Sequence, residues 1–247
     1  MAGIVEEQMR TTLALLAVLI AVPLFGQGVP PSERILVPIF AQPGPGAFGS
    51  FWQSELWDHN DTDEPVQTGL GPVLPPKTTI GPLVGDRAVG TPGLVMFTRR
   101  EHEAHLHFSV RIRDLSRQAQ TWGTEIPVVR ESEFFTGRMQ LLAVPTDGRF
   151  RTMLRVYEFL GFGLSPGAVR VRFYRTGVSP DVLLHEQTVS LAGTGVLAYA
   201  QLASLPPEVS DAAPVRIEIE PLKEMWFWAF VSITNNQTQH VTIITPQ

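Results

Sequence analysis

The chain has 247 residues, 44% of them apolar, with a formal net charge of −5 and no cysteine. A mildly acidic chain without basic clusters offers no counter-charge to nucleic acid or to anionic membrane surfaces, so neither is expected as a partner. The lack of cysteine excludes disulfide staples, zinc–thiolate sites and cysteine nucleophiles.

The one long apolar run comes first, from Leu13 to Phe25. Roughly 18 or more apolar residues are needed to cross a bilayer, so the run is short for a stable anchor. Pro23 near its end and Gly26-Gln27-Gly28 after it suit the apolar region of a signal peptide and its cleavage site. Glu6 and Glu7 make the preceding stretch acidic where a signal peptide is basic, and a start at Met9, with Arg10 as the basic residue, resolves the conflict. A cleaved signal peptide over residues 1–28 is therefore expected, with the mature chain extracytoplasmic, either secreted or periplasmic. The alternatives are an uncleaved anchor, which would be the chain's one membrane contact, and a buried strand. No cysteine follows the run, which excludes the lipid-anchored route.

Beyond residue 28 the apolar positions alternate with polar ones, the pattern of half-buried strands. Ala104, Leu106, Phe108, Val110 and Ile112 share one face, with His105, His107, Ser109, Arg111 and Arg113 opposite. Val169, Val171 and Phe173 repeat the pattern, as do Val215, Ile217 and Ile219. Pro43-Gly-Pro-Gly46, Pro75-Pro76 and Ser165-Pro-Gly167 punctuate the strands. No apolar stripe of helical period exceeds about ten residues; Val196 to Leu205 is the best helix candidate and stops at Pro206-Pro207. Many short strands between such turns predict an all-β fold, a sandwich or barrel.

Two stretches echo two others. Trp52-Gln-Ser54-Glu-Leu56 matches Phe150-Arg-Thr152-Met-Leu154, and Phe108-Ser-Val-Arg-Ile-Arg-Asp114 matches Ala229-Phe-Val-Ser-Ile-Thr-Asn235. The echo predicts a duplicated sandwich, with one domain over 33–145, a second over 146–247 and a seam near Pro145-Thr-Asp-Gly148. The segments Pro45-Gly-Ala-Phe-Gly-Ser-Phe-Trp-Gln-Ser-Glu-Leu-Trp57, Trp122-Gly-Thr-Glu-Ile-Pro127 and Trp228-Ala-Phe-Val-Ser-Ile-Thr-Asn-Asn236 carry a resemblance. They resemble exported bacterial proteins built from tandem immunoglobulin-like β-sandwich domains. The likeness covers most of the mature chain. It implies export and a β-sandwich fold, and it carries over no activity and no functional residues.

Four clusters could carry chemistry. Asp58-His-Asn-Asp-Thr-Asp-Glu64 gathers the oxygens of Asp58, Asn60, Asp61 and Asp63 in one loop, and calcium takes six to eight oxygens. The run lacks the glycine and terminal bidentate Glu of a helix-loop-helix calcium site. Asn and Asp are also ordinary turn formers, so a plain turn is the favoured reading. In His102-Glu-Ala-His-Leu-His107, a strand would point His105 and His107 the same way, about 7 Å apart. With Glu103 beside them they could bind zinc, copper or iron if a neighbouring strand supplied a third ligand. A solvated polar face, continued by Arg111 and Arg113, is favoured over that metal site.

Met225-Trp-Phe-Trp-Ala-Phe-Val231 is apolar on both faces. It reads as a central strand covered on both sides, or as a platform in which Trp226 and Trp228, with Trp57 elsewhere, stack on sugar rings. Glu218 and Glu220 lie on the polar face of one strand and read as solvated rather than as a glycosidase pair across a cleft. There is no Gly-x-Ser-x-Gly elbow, phosphate loop or dinucleotide fingerprint. The expected function is an exported, non-catalytic structural or interaction protein of the cell surface or periplasm. It would use no cofactor and would meet another protein or a cell-surface glycan. The rivals are a carbohydrate-binding module and a metal-binding protein or enzyme centred on His105 and His107.

Overall fold

Alternation becomes antiparallel pairing in the computed structural model, which describes residues 32–68, 73–86, 92–117, 119–161, 163–210 and 214–247. The apolar run and the expected signal segment lie outside the described residues. The N-terminal half runs β1 (Ser32–Val37), β2 (Gly44–Pro45), β3 (Phe51–Asn60), β4 (Thr78–Val84), β5 (Leu94–Arg99), β6 (Leu106–Asp114), β7 (Thr124–Ile126) and β8 (Val129–Arg130). The C-terminal half runs β9 (Met139–Val144), β10 (Phe150–Phe159), β11 (Ala168–Arg175), β12 (Val182–Ser190), β13 (Ala192–Thr194), β14 (Leu197–Leu202), β15 (Val215–Pro221), β16 (Phe227–Asn235) and β17 (Val241–Ile244). The helices among the described residues are short 3-10 turns, so the fold is all-β.

Among the described residues four sheets result, and three apolar layers stack them. An outer sheet joins β3, β6 and β7, with β2 and β4 along the free edge of β3. It packs on the sheet β5-β1-β8 through Leu56, Val110 and Ile126 against Ile35, Val37 and Met96. At the other end, the sheet β13-β14-β10-β16-β17 packs on β12-β11-β15-β9 through Val156, Ala229 and Val231 against Val171, Phe173 and Ile217. Between the two sandwiches lies a third layer. Leu36, Val95 and Val129 meet Tyr157, Phe159, Trp228 and Phe230 there.

The strand period explains this seam. Ile35 and Val37 of β1 face one way and Leu36 the other, and all three are buried. In β16, Phe227, Ala229 and Val231 enter the C-terminal core while Trp228 and Phe230 enter the seam. Burying one such side chain contributes about 1.5–3 kcal/mol, so the seam is a substantial part of the fold. Side-chain bonds cross it too. The Tyr157 hydroxyl donates to the Pro38 carbonyl (2.6 Å), and Arg34 donates to the Leu160 carbonyl (2.8 Å) while pairing with Glu131 (2.6 Å).

Two expectations need correction. The helix expected over Val196 to Leu205 is strand β14, paired with β10 from Leu154↔Leu202 to Phe159↔Leu197. Its alternation is hidden because both faces carry apolar contacts: Ala198 packs in the C-terminal core and Leu197 in the seam. The domain break expected at 145/146 falls inside the C-terminal sandwich. Strand β9 pairs with β15 (Met139↔Ile219) and buries Met139, Leu141 and Val144 in that core. The chain therefore passes between the sandwiches at residues 131–138.

One pairing scheme occurs twice in the same chain order. The pairs β1·β5, β3·β6 and β6·β7 recur as β9·β15, β10·β16 and β16·β17. The register of the central pair recurs as well. Trp52 faces Asp114 and Leu56 faces Val110, while Phe150 faces Asn235 and Leu154 faces Val231. These are the positions that echo one another in sequence.

Candidate functional site

The Asp58–Asp63 segment is a structural lock. Asp58 and Asn60 sit at buried positions of β3. The Asn60 amide nitrogen donates to the carbonyls of Glu64 (2.8 Å), Leu74 (3.0 Å) and Pro75 (3.1 Å). Its oxygen accepts from the Thr62 amide (2.9 Å) and hydroxyl (2.7 Å). Lys77 Nζ donates to Asp61 Oδ1 (3.3 Å) and lies 3.5 Å from Asp63, so an ammonium occupies the space between these carboxylates. Burial pushes Asp58 up to about 6, and its Oδ1 is buried without a hydrogen-bond partner. Among the described residues, no three His, Asp or Glu side chains converge where a metal could sit.

His105 does not share a strand with His107. It ends the 3-10 turn Arg100–His105, and β6 starts one residue later. That turn forms because His102 folds inward and its Nε2 lies 2.8 Å from Glu64 Oε1. The ring beside His107 is His59, its cross-strand partner on β3, with centroids 5.9 Å apart. Glu103 leaves the histidine face for another partner. Glu33 of β1 is pushed up to about 7 by burial and by a hydrogen bond and charge repulsion from Glu103. The Arg130 guanidinium lies 3.8 Å from Glu103. This pair had no signal in the sequence, because its members are far apart in the chain.

The tryptophans separate. Trp228 is 4% exposed and packs in the seam, 5.3 Å from Phe230 between ring centroids. Trp226, 45% exposed, precedes β16, and Trp57, 39% exposed, lies on the outer sheet. The joint platform of Trp226 and Trp228 is thus absent, since a whole sheet covers the face that Trp228 occupies. Glu218 is also not a solvated group. On the outer face of β15 it is 4% exposed, lying beneath Arg172 (3.0 Å), Arg216 (3.2 Å) and Arg138 (3.6 Å).

A cavity of about 220 Å³ opens where the seam ends. The seam face of β10 carries Tyr157 and Phe159, and the same face continues two by two to Arg155, Met153 and Arg151. The seam face of β16 likewise continues from Trp228 and Phe230 to Ser232 and Thr234. One end of the face is therefore aromatic and packed, and the other is mixed and open. The opposing wall comes from residues 38–41 after β1, with Trp52 and Ile112. That wall is fixed in place, because Ala41 and Ser54 exchange hydrogen bonds (both 3.1 Å) and Tyr157 holds Pro38.

Two guanidiniums line this cavity without a counter-ion. Arg155 donates to the Ser232 hydroxyl (2.9 Å) and lies 5.6 Å over the Phe230 ring. Arg151 donates to the Asn236 and Gln239 side-chain oxygens (2.9 and 2.8 Å) and lies 5.0 Å over Phe48. Burial lowers the pKa of both. Among the described residues, no carboxylate comes within ion-pairing distance of either, whereas Arg34, Arg113, Arg117, Arg172 and Arg216 each hold one. Nothing in the sequence singles out Arg151 or Arg155, and only the stacking of a second sandwich places them at this cavity.

No family model and no curated protein matches the chain. Among solved structures, a chain from the cryo-EM atomic structure of Broad Bean Stain Virus aligns with 8% identity over 90% of this chain and 92% of that one. Its TM-score is 0.24, and the likeness carries no argument about this protein.

Proposed function

We propose that the protein is an exported, non-catalytic structural or interaction element of the cell surface or periplasm. In this reading it consists of two immunoglobulin-like sandwiches descended from one duplicated unit. The twofold pairing scheme and the shared register of β3·β6 and β10·β16 support the duplication. The observation that carries the functional reading is the aromatic seam, through which both sandwiches share one buried layer. A body of that kind holds surfaces in fixed relation, which is what an interaction element requires and what flexibly linked modules lack. The polar clusters support it as well: Asn60, Lys77 and His102 are committed to holding loops.

The test combines cell fractionation with an activity panel. The protein is expected outside the cytoplasm, beginning near residues 26–28. It should show no turnover of glycoside, ester or peptide substrates above a heat-denatured control. Cytoplasmic retention with an intact N-terminus would overturn the export reading. Turnover that scales with protein concentration would overturn the non-catalytic one.

A further inference from the structure

We propose that the cavity at the junction of the two sandwiches binds a small amphiphilic carboxylate, its head on Arg155 and its apolar body between Ile39, Ile112 and Met153. A charged group withdrawn from water without a partner is costly, and proteins compensate it with a counter-charge. Arg34, Arg113, Arg117, Arg172 and Arg216 each have that counter-charge from this chain, and among the described residues the two in the cavity do not. Of the pair, Arg155 has the more unspent capacity. Among the described residues its one side-chain hydrogen bond goes to Ser232, leaving most of a planar five-donor fork free there, and that fork matches a carboxylate in a bidentate way. Arg151 commits both terminal nitrogens to Asn236 and Gln239 and adds positive potential from four residues along the same strand face.

The rest of the lining specifies the body. Pro38, Ile39, Phe40, Trp52, Ile112 and Met153 present apolar surface, which has no use for a free inorganic ion. The volume of about 220 Å³ exceeds the roughly 150 Å³ of an engineered cavity that takes up benzene, so a ring or short alkyl chain bearing one carboxylate fits. The site is preformed by the Ala41–Ser54 and Tyr157–Pro38 bonds, so little ordering cost offsets binding.

The test is calorimetric titration of the protein with benzoate and with benzamide, its neutral counterpart of the same shape, at low ionic strength. Benzoate is expected to bind with 1:1 stoichiometry and a Kd below about 1 mM, and benzamide at least tenfold more weakly. Arg155→Met keeps the stem and removes the charge, and it is expected to weaken benzoate at least tenfold. Met153→Trp, which fills the cavity and leaves both arginines, is expected to abolish binding of both probes. Equal affinity for benzoate and benzamide, no saturable binding of benzoate, or undiminished benzoate binding in Met153→Trp would each overturn the proposal. The comparison of the two probes on the unmodified protein decides the matter even if a variant fails to fold.

Discussion

Glu33 and Asp58 are acids placed where water is scarce, and the sign of their effect on stability follows from that. Glu33 is pushed up to about 7 and Asp58 to about 6, both first by burial, so the folded chain holds protons there that the unfolded chain has released. Their contribution is complete below the ordinary carboxylate pKa and is lost as pH rises through about 6 to 7. Asp114 acts in the opposite sense. Burial alone would raise it, but hydrogen bonds from Ser116, the Phe51 amide and Arg117 bring it below the usual range. Its contribution is lost only in acid. Urea unfolding should therefore show stability falling by on the order of 2 kcal/mol between pH 5 and pH 8. Glu33→Gln should flatten most of that slope, and stability that rises over this interval would refute the assignment. At this scale the sequence was least informative. Asp58, Asn60, Asp61 and Asp63 read as turn formers that could also serve as oxygen ligands, yet spacing says nothing about where each hydrogen bond is spent, and Asn60 uses its amide to close a loop.

Strands were plainest in the sequence where one face is wet and least distinct where both are apolar. In β6, β11 and β15 the apolar positions alternate with charged ones because the outer sheets meet solvent on one side. In β16 sheets cover both sides and in β14 both faces carry apolar contacts, so the polar half of the pattern fades, and β14 resembles a helix in consequence. The sequence admitted a two-faced strand for Met225 to Val231, but which Trp turned inward depended on a partner sheet from the other half of the chain. Trp228→Ala leaves a void in the seam between Tyr157 and Phe230. A large-to-small change of this kind costs about 3–5 kcal/mol. Trp226→Ala, one position before the strand and exposed, should change the urea midpoint little. Equal midpoints for the two variants would mean that the seam contributes nothing to stability.

For the whole molecule, the seam decides whether the chain behaves as two modules or one. The echo between β3 and β10 and between β6 and β16 was visible in the residues, and the recurring register is its structural counterpart. What the echo could not reveal is how the two sandwiches meet, because the seam joins residues more than a hundred positions apart, such as Tyr157 and Pro38. A chain of independent sandwiches would unfold in steps, whereas sandwiches sharing a buried aromatic layer should unfold together. Differential scanning calorimetry of the intact protein tests this most directly. One transition is expected, in which the calorimetric and van't Hoff enthalpies agree, and two separable transitions would contradict a shared, stabilising seam.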